Sequence, residues 1–391
     1  MAFNPLSCSD YKPTIPMRLL ITLFVFALTL PAFAQAPPPP TLAANAWLLF
    51  DHQTGQVLVS HKPDERIEPA SLTKLMTAYI TFSALHAGTI TLEQEVPVSE
   101  AAWRMTGSRM FIEPRKPVTV EQLIHGMIVQ SGNDACVALA EAIAGSEEAF
   151  THLMNREAQR LGMRNTHFTN ASGLPDDNLY TTAGDLALLA SALIRNFPEY
   201  YRLYSLKEYT YNDITQPNRN RLLWMDSTVD GMKTGYTRAA GYCLVSSAVR
   251  GPRRLISIVL GSESETIRAQ ESLKLLNYGF QFFDTVRLYA AGQDLSRFRV
   301  WKGATNEVPV GFIDDFVMSL PKGQSDRVEA SLTSRQPVMA PVQKGQEIGT
   351  LSLVLDGRKV GEYPVVALDD VAVAGFFGRF WDALQLWIKS L

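Results

Sequence analysis

Hydrophobic and polar positions follow different periods in successive parts of the chain. Short apolar runs at 46–62 and 241–262 are each divided by a glycine-containing turn, which predicts two pairs of strands. Between them, apolar residues recur at helical spacing over 119–145, 146–163 and 181–198. Strands at both ends with helices between them indicate one sheet with helices packed against it.

The pattern divides the chain into two folded parts and a terminal helix. Residues 44–285 are expected to form an α/β (α+β) domain with an antiparallel sheet flanked by helices, the last helix covering about 264–281. Residues 295–370 contain short alternating strands with glycine-containing turns, which predicts a small all-β domain. That second domain has no histidine and no evident catalytic cluster.

Residues 372–391 have the pattern of an amphipathic helix. Bulky side chains fall on one stripe, and Asp382, Gln385 and Lys389 lie opposite. The stripe consists of Phe376, Phe377, Phe380, Trp381, Leu384, Trp387, Ile388 and Leu391. A helix so rich in aromatic residues is typical of insertion into a membrane interface, so we expect a membrane surface as partner. The alternative is a terminal helix packed on the protein's own core.

The first residues have the pattern of a targeting segment. In residues 1–34, Arg18 precedes an apolar run, and a small-x-small cleavage site follows at 32–34. Met17 is an alternative start of translation, and an uncleaved anchor is the alternative to cleavage. The proline-rich residues 35–43 then form an extended spacer. We therefore expect an exported protein.

Charge and cysteine content argue against a nucleic-acid-binding protein and against a disulfide scaffold. The net charge is −3, so no electrostatic argument favours nucleic acid as a partner. Cys136 and Cys243 are the two cysteines beyond the signal peptide, and neither belongs to a C-x-x-C pattern. We expect buried free thiols, with a disulfide between them as the alternative.

Ser71 and Lys74 stand three residues apart at the predicted start of a helix, in EPASLTKLMTAYI. Residues i and i+3 share one helix face, so the two side chains can approach each other. A serine hydroxyl needs a base to become a nucleophile, and burial can lower the pKa of a lysine enough for that task. The alternative is an N-cap serine beside an ordinary surface lysine.

Two further motifs favour the catalytic interpretation. Ser131-Gly132-Asn133 lies 60 residues after Ser71, at a predicted helix break. Lys233-Thr234-Gly235 lies 102 residues after Ser131, at the entry to a strand. S-x-x-K, an S-x-N triplet and K-T-G in this order form the motif set of β-lactamases and penicillin-binding proteins. Gly132 stands where that set has aspartate.

With these motifs the chain resembles the low-molecular-mass penicillin-binding proteins, which are serine-type D-alanyl-D-alanine carboxypeptidases. The resemblance covers EPASLTKLMTAY, MIVQSGNDACVALAE, NRNRLLW and VDGMKTGYTRAAGY, then the small β-domain and the amphipathic tail. It implies a hydrolase that removes the terminal D-alanine from peptidoglycan stem peptides through an acyl-enzyme. It also implies acylation by β-lactams, no metal or organic cofactor, and a peripheral location on the periplasmic face of the inner membrane.

The resemblance assigns a role to each motif residue. Ser71 attacks the carbonyl between the two D-alanines, and Lys74 is its base. Ser131 relays the proton to the leaving amine; a serine that only caps backbone at the helix break is the alternative. Asn133 holds Lys74 and the peptide amide, and Lys233 fixes Ser131 and supports the substrate carboxylate.

The third motif and its surroundings complete the expected substrate site. Thr234 bonds the substrate carboxylate, and Gly235 lets the substrate backbone lie along the strand edge, because a Cβ would intrude. The N–H groups of Ser71 and Tyr236 form the oxyanion hole. Arg268 matches a family arginine near the terminal carboxylate, with a plain surface charge as the alternative.

Some positions depart from the family pattern or carry no assigned role. Tyr236 stands where many relatives have histidine, which leaves the pH dependence and the deacylation rate open. Ser172 stands where some relatives have histidine, so the wall of the pocket is also open. Arg219 and His167 are interpreted as structural.

Three other functions share part of this pattern. A class A β-lactamase needs a glutamate in an E-x-x-L-N loop, which neither Glu157 nor Glu199 provides. A non-catalytic penicillin-binding scaffold has no need of an intact nucleophile. Endopeptidase action on peptidoglycan cross-links uses the same residues, so the sequence leaves it open.

Overall fold

The computed structural model of the protein describes residues 38–389. The predicted signal peptide, 1–34, and residues 35–37 of the predicted spacer lie outside this range. Within it, no helix combines the length and the apolar character needed to cross a membrane.

A five-stranded antiparallel sheet lies at the centre of the first part of the chain. The first nine strands are β1 (Ala46–Asp51), β2 (Gln56–His61), β3 (Glu95–Val96), β4 (Val118–Thr119), β5 (Glu208–Tyr211), β6 (Ile214–Pro217), β7 (Val229–Thr237), β8 (Gly241–Arg250) and β9 (Arg253–Ser262). The central sheet has the order β2-β1-β9-β8-β7. Strand β1 pairs with β9, with Ala46 opposite Leu260, so strands from both ends of the domain meet. The predicted fold class is therefore confirmed.

Helices cover this sheet and form the rest of the domain. They are α1 (Lys74–His86), α2 (Glu100–Trp103), α3 (Val120–His125), α4 (Asn133–Ala144), α5 (Glu147–Arg160), α6 (Ala183–Asn196), α7 (Pro198–Tyr201), α8 (Leu222–Met225) and α9 (Glu265–Phe282). Three of the long helices, α5, α6 and α9, begin at polar caps: Ser146, Thr182 and Ser264 each accept a hydrogen bond from a backbone N–H one turn later. These caps place the helix starts close to where the sequence predicts them.

The second part of the chain consists almost entirely of strands. They are β10 (Phe283–Tyr289), β11 (Ser296–Trp301), β12 (Glu307–Gly311), β13 (Phe316–Pro321), β14 (Val328–Ser334), β15 (Val338–Met339), β16 (Glu347–Leu355) and β17 (Arg358–Ala367). Strand β10 pairs with β13, and the other six form one sheet in the order β14-β16-β17-β12-β11-β15. A core of Val, Leu, Ile, Phe, Met and Ala side chains lies within this part. We call it the β-domain.

A buried carboxylate connects the two parts. Asp51, at the end of β1, forms an ion pair with Arg253 on β9, with 2.9 Å between Nε and Oδ2. The same Oδ2 accepts hydrogen bonds from the hydroxyl groups of Thr285 on β10 and Ser319 on β13, at 3.2 and 2.7 Å. Gln56 adds a bond to the backbone N–H of Ser319. We call these contacts the Asp51 joint.

The last helix, α10 (Phe376–Lys389), lies against the β-domain with its polar side. Asp382 is buried, and its Oδ2 accepts a hydrogen bond of 2.5 Å from the backbone N–H of Lys302. Arg299 donates to Gln385 and lies near Asp382. The bulky side chains of the stripe from Phe376 to Ile388 are exposed, with Phe377 at 86%, and Leu391 lies outside the described residues. The helix therefore packs on the β-domain through its polar side, and its apolar face is exposed.

Candidate active site

Ser71 lies in a short 3-10 turn, Ala70–Thr73, which leads directly into α1. The sequence analysis places Ser71 and Lys74 on the same helix; in the structure only Lys74 belongs to α1. The backbone of Ala70 is in the left-handed region, with φ 48°. A loop approaches this turn so closely that a Cβ on Gly173 would lie 1.8 Å from the Ala70 carbonyl oxygen. Glycine at 173 therefore permits this packing.

Lys74 is buried and directs its amine at the serine. Its Nζ donates to Ser71 Oγ at 3.0 Å, to Asn133 Oδ1 at 2.8 Å and to the Ser172 carbonyl at 2.6 Å. Neighbouring Leu72, Leu75, Met76 and Ala78 are fully buried and exclude water from the amine. Burial, with a smaller contribution from the positive charge of Arg219, lowers the pKa of Lys74 to about 8. Roughly a tenth of the molecules therefore carry the neutral amine at pH 7, far more than for a lysine with its ordinary pKa.

The Ser172 carbonyl reaches Lys74 because Asn170 shapes the loop that carries it. Asn170 Oδ1 accepts hydrogen bonds from the backbone N–H groups of Ser172, Gly173 and Leu174. An asparagine that bonds its own downstream backbone forms a tight turn. The motifs do not predict this contact, although asparagine and glycine are both residue types that favour turns. The sequence leaves the role of Ser172 open. In the structure, its backbone carbonyl accepts a hydrogen bond from Lys74.

Ser131 lies at the break between α3 and α4. A wide helical turn, Gly126–Gln130, follows α3, and Ser131 then adopts the left-handed conformation with φ 60°. Its buried hydroxyl accepts a hydrogen bond of 2.9 Å from Lys233 Nζ. Lys233 also donates to the Thr234 carbonyl at 3.0 Å. Burial, followed by the positive charge of Lys74, holds the pKa of Lys233 well below its usual range.

Asn133, the first residue of α4, joins the site to a neighbouring loop. Its Oδ1 accepts from Lys74, and its Nδ2 donates to the Thr106 carbonyl at 2.7 Å. The two bonds use opposite ends of the amide, so the oxygen is the end that faces the lysine. The structure thus brings Ser71, Lys74 and Asn133 into one hydrogen-bonded network and Ser131 and Lys233 into a second.

Strand β7 carries the third motif past the Ser71 turn. Thr234 and Gly235 are buried, whereas Tyr236 is 54% exposed and stacks on Tyr242 with ring centroids 4.3 Å apart. A Cβ on Gly235 would lie 3.1 Å from the Pro69 carbonyl oxygen and 3.2 Å from Leu72 Cγ. The sequence analysis expects that Cβ to intrude on substrate. The structure gives a different reason for glycine, since the side chain would meet the segment carrying the nucleophile.

Arg268, on α9, packs against β8 and is only 3% exposed. Its guanidinium donates long bonds of 3.5 and 3.4 Å to the carbonyls of Cys243 and Arg219, and lies over the Tyr242 ring. The alternative of a surface charge is therefore wrong. Burial lowers its pKa from the ordinary value.

Arg219 contributes to the site in a way that the sequence analysis did not predict. The residue is exposed, and its positive charge lowers the pKa of both Lys74 and Lys233. The Arg219 carbonyl accepts a hydrogen bond from Arg268, which agrees with the predicted structural role. The effect of the Arg219 charge on the two lysines goes beyond that prediction. Cys136 and Cys243 are buried free thiols, as expected. Within residues 38–389, no group of three or more His, Cys, Asp and Glu side chains is arranged to hold a metal ion.

A serine hydroxyl beside a buried amine, next to a second serine and lysine, is suited to acyl transfer by a serine nucleophile. Comparison with known proteins agrees with that chemistry. Residues 33–264 match the family model of D-alanyl-D-alanine carboxypeptidases. The chain belongs to this family. Residues 283–373 match a second model, the C-terminal domain of penicillin-binding protein 5.

Individual relatives resemble this carboxypeptidase over 62% to 93% of its length. The D-alanyl-D-alanine carboxypeptidase DacC of Escherichia coli is 45% identical over 372 residues, which are 93% of each chain. Penicillin-binding protein 5 of Haemophilus influenzae has a similar structure, with a TM-score of 0.81 and 42% identity over 85% of this chain and 99% of the other. Penicillin-binding protein D2 of Listeria monocytogenes, solved in an ampicillin-bound form, covers 62% of this chain at 32% identity and a TM-score of 0.58, and all of that chain is matched.

These comparisons confirm the predicted family, the fold and the class of enzyme. The carboxypeptidase is a serine-type hydrolase with the penicillin-binding protein fold. The class A β-lactamase alternative is not supported, because both the family model and the relatives are carboxypeptidases. The roles of individual residues stay predictions.

Proposed function

We propose that this carboxypeptidase removes the terminal D-alanine from peptidoglycan stem peptides, and that Ser71 is the residue that becomes acylated. The observation that carries this proposal is the bond of 3.0 Å between Lys74 Nζ and Ser71 Oγ, made by a lysine that is only 1% exposed. Membership of the carboxypeptidase family supports the class of substrate.

In the first step, neutral Lys74 accepts the proton of the Ser71 hydroxyl while Oγ attacks the carbonyl carbon of the penultimate D-alanine. The N–H groups of Ser71 and Tyr236 stabilise the oxyanion that develops. The carbon–nitrogen bond to the terminal D-alanine then breaks. Ser131 passes its proton to the departing amine and takes up the proton held by Lys74, which is thereby neutral again for the second step. The peptide remains as an ester on Ser71.

In the second step, a water molecule attacks the ester carbon after giving up a proton to the same base. The bond to Ser71 Oγ breaks, the hydroxyl regains its proton, and the shortened peptide leaves with a new carboxylate. Lys233 and Thr234 bind the carboxylate of the terminal D-alanine during the first step, and Arg268, which packs against the neighbouring strand β8, adds positive charge near that carboxylate. Tyr236 contributes its backbone N–H, which the replacement of histidine by tyrosine leaves available.

β-Lactams are expected to acylate the same serine, since they present a strained amide to the nucleophile. The ampicillin-bound structure of the Listeria monocytogenes relative supports this expectation. A β-lactam also gives an assay that does not depend on the identity of the natural peptide.

The test incubates the full-length protein with a peptide ending in Lys-D-Ala-D-Ala and measures free D-alanine. Ser71→Ala should abolish release and labelling by a fluorescent penicillin, while Ser83→Ala, an exposed serine on α1, should retain both. Labelling of Ser71→Ala would contradict the assigned nucleophile. Labelling of the wild type without release of D-alanine would favour a penicillin-binding scaffold.

Endopeptidase action is the second candidate, because it uses the same acyl-enzyme. A cross-linked muropeptide dimer distinguishes the two reactions. Appearance of monomers, without free D-alanine from the pentapeptide, would replace the carboxypeptidase proposal by the endopeptidase. Release of D-alanine with the dimer left intact would support the carboxypeptidase.

We also propose that α10 binds the membrane and that the protein acts as a peripheral protein on the periplasmic face of the inner membrane. The helix is held by its polar side, which leaves its aromatic face outward, as an interfacial helix requires. The signal-peptide pattern at 1–34 supports export.

Sedimentation with vesicles of mixed zwitterionic and anionic phospholipid tests the membrane proposal. Phe377→Glu combined with Trp381→Glu should release the full-length protein from vesicles, because both side chains lie on the exposed apolar face. Ile313→Glu, an exposed apolar position in the turn between β12 and β13, is the matched control and should leave binding unchanged. Equal binding by all three proteins would contradict the role of α10.

A further inference from the structure

A buried carboxylate beside the catalytic motifs has no role in the reaction described above. Asp134 follows Asn133 in α4 and is 1% exposed. Its Oδ1 accepts hydrogen bonds from the backbone N–H groups of Met110, at 3.0 Å, and of Ala135. Its Oδ2 accepts from the N–H groups of Phe111 and Ile112, at 2.8 and 3.2 Å. One side chain therefore binds three consecutive N–H groups of a distant loop.

That loop, residues 106–112, needs such a restraint. Phe111 has φ 69°, a left-handed conformation that is unfavourable for a bulky residue. The hairpin β5–β6 provides a second restraint in addition to Asp134, because Gln216 Nε2 donates a hydrogen bond to the Arg109 carbonyl at 3.0 Å. Backbone in an unfavourable conformation persists only where several surrounding contacts fix it, and such positions are frequent at functional sites.

The loop in turn determines how Asn133 faces the catalytic lysine. The Thr106 carbonyl accepts from Asn133 Nδ2, and the Ser108 carbonyl accepts from the Asn133 backbone N–H, both at 2.7 Å. With Nδ2 engaged by Thr106, the amide presents its oxygen to Lys74 Nζ. A free asparagine amide could rotate and turn its NH₂ group toward the amine, where it cannot accept.

We propose that Asp134 is a positioning residue for Lys74. It fixes the loop 106–112, whose Thr106 carbonyl orients the amide of Asn133, and that amide holds the Lys74 amine beside Ser71. This inference rests on the role proposed for Lys74 as base. General bases are sensitive to placement, because a shift of about 1 Å from the reacting group costs large factors in rate.

The charge of Asp134 provides a readout that a purely structural residue would not change. Its negative charge raises the pKa of Lys74, against the larger lowering by burial. Two other groups also change the pKa of Lys74: Cys136 raises it and Arg219 lowers it. The positive charge of Lys74 in turn lowers the pKa of Lys233. Removal of the Asp134 charge should therefore lower the pKa of Lys74. The acid limb of the pH profile, in which the acylation rate rises as Lys74 loses its proton, should then move to lower pH.

The experiment measures acylation of the full-length protein by a fluorescent penicillin between pH 6 and pH 10, per folded molecule. Asp134→Asn should lower the plateau rate about tenfold or more and shift the acid limb to lower pH. Asp185→Asn is the matched control. The Asp185 carboxylate is also buried and also accepts a hydrogen bond from a backbone N–H, that of Asn165, and neither residue belongs to one of the three motifs. This control should change thermal stability while leaving both the plateau and the limb at their wild-type values.

A second variant keeps the inference testable if Asp134→Asn does not fold. Gln216→Ala removes the bond to Arg109 on the other side of the loop and leaves Asp134 in place. It should slow acylation several-fold without shifting the acid limb, because no charge is lost. An acylation rate and pH profile indistinguishable from wild type in the folded variants would overturn the inference. Failure of the wild type to release D-alanine would instead concern the proposed function, since acylation is read separately.

Discussion

Lys233 donates a hydrogen bond from Nζ to Ser131 Oγ over 2.9 Å, although the two residues are 102 positions apart in the chain. Both side chains are buried, and Ser131 occupies the left-handed region of the backbone map. The contact therefore fixes the hydroxyl of a residue whose backbone is already constrained. A proton relay requires such a fixed hydroxyl.

Replacement of Ser131 tests that relay. Ser131→Ala removes the acceptor of Lys233 and the hydroxyl that would protonate the leaving amine. We expect release of D-alanine to fall about 100-fold or more, with a smaller loss in penicillin acylation. Wild-type rates of D-alanine release would show instead that Ser131 only caps the helix break. Stopped-flow acylation and D-alanine assays on the same preparation provide both numbers.

The rate of acylation should rise with pH through about 8. Lys74 has its pKa lowered to about 8 by burial, and the neutral amine is the form that accepts the serine proton. At pH 7 roughly a tenth of the molecules then carry the neutral form, and the rate should level off above about pH 9. Lys74→Arg, which stays charged, should lose activity at every pH. A flat wild-type profile between pH 6 and 9 would contradict the assignment of the base.

Arg219 should set the position of that pH profile. Its positive charge lowers the pKa of Lys74, so Arg219→Gln should raise this pKa and move the acid limb of acylation to higher pH. Arg221→Gln is a suitable control, because Arg221 is also exposed and its guanidinium donates to Thr266. The two variants should therefore differ in the midpoint of the limb. Identical midpoints would show that Arg219 acts on substrate alone or not at all.

Substitutions at Gly173 and Gly88 distinguish the cost of a steric clash from the cost of a left-handed backbone conformation. Both have positive φ, 82° and 70°, but only Gly173 faces the Ser71 turn, where a Cβ would lie 1.8 Å from the Ala70 oxygen. Gly88→Ala should lower the free energy of unfolding by about 1 kcal/mol, the cost of the left-handed conformation. Gly173→Ala should cost about 3 kcal/mol and also slow acylation. Denaturant unfolding measures the first effect; equal losses in the two variants would exclude the crowding.

The fold was largely predictable from the chain because its elements have strong local signals. Strands β8 and β9 together cover the predicted pair 241–262, since a tight turn at Gly251 with φ 58° separates two apolar runs. Helix starts at Ser146 and Thr182 follow from side chains that accept backbone N–H groups. Such signals depend only on neighbouring residues.

The details of the site were less predictable because they depend on distant backbone. The Ser172 carbonyl contacts Lys74 from 98 residues away, and no residue type announces a carbonyl contact. Gly235 faces the Ser71 turn rather than an open edge, which the motif alone cannot indicate. Helix α10 shows the same limit: its periodicity identifies two faces, but only the position of Lys302 determines that the polar face is the one that packs.

The Asp51 joint has a mechanical consequence for the whole enzyme. Partners from β9, β10 and β13 share one buried carboxylate, so any rotation of the β-domain against the central sheet would break bonds to a charge that water cannot reach. The Asp51 joint therefore acts as a hinge pin that is locked, and it opposes independent motion of the two parts.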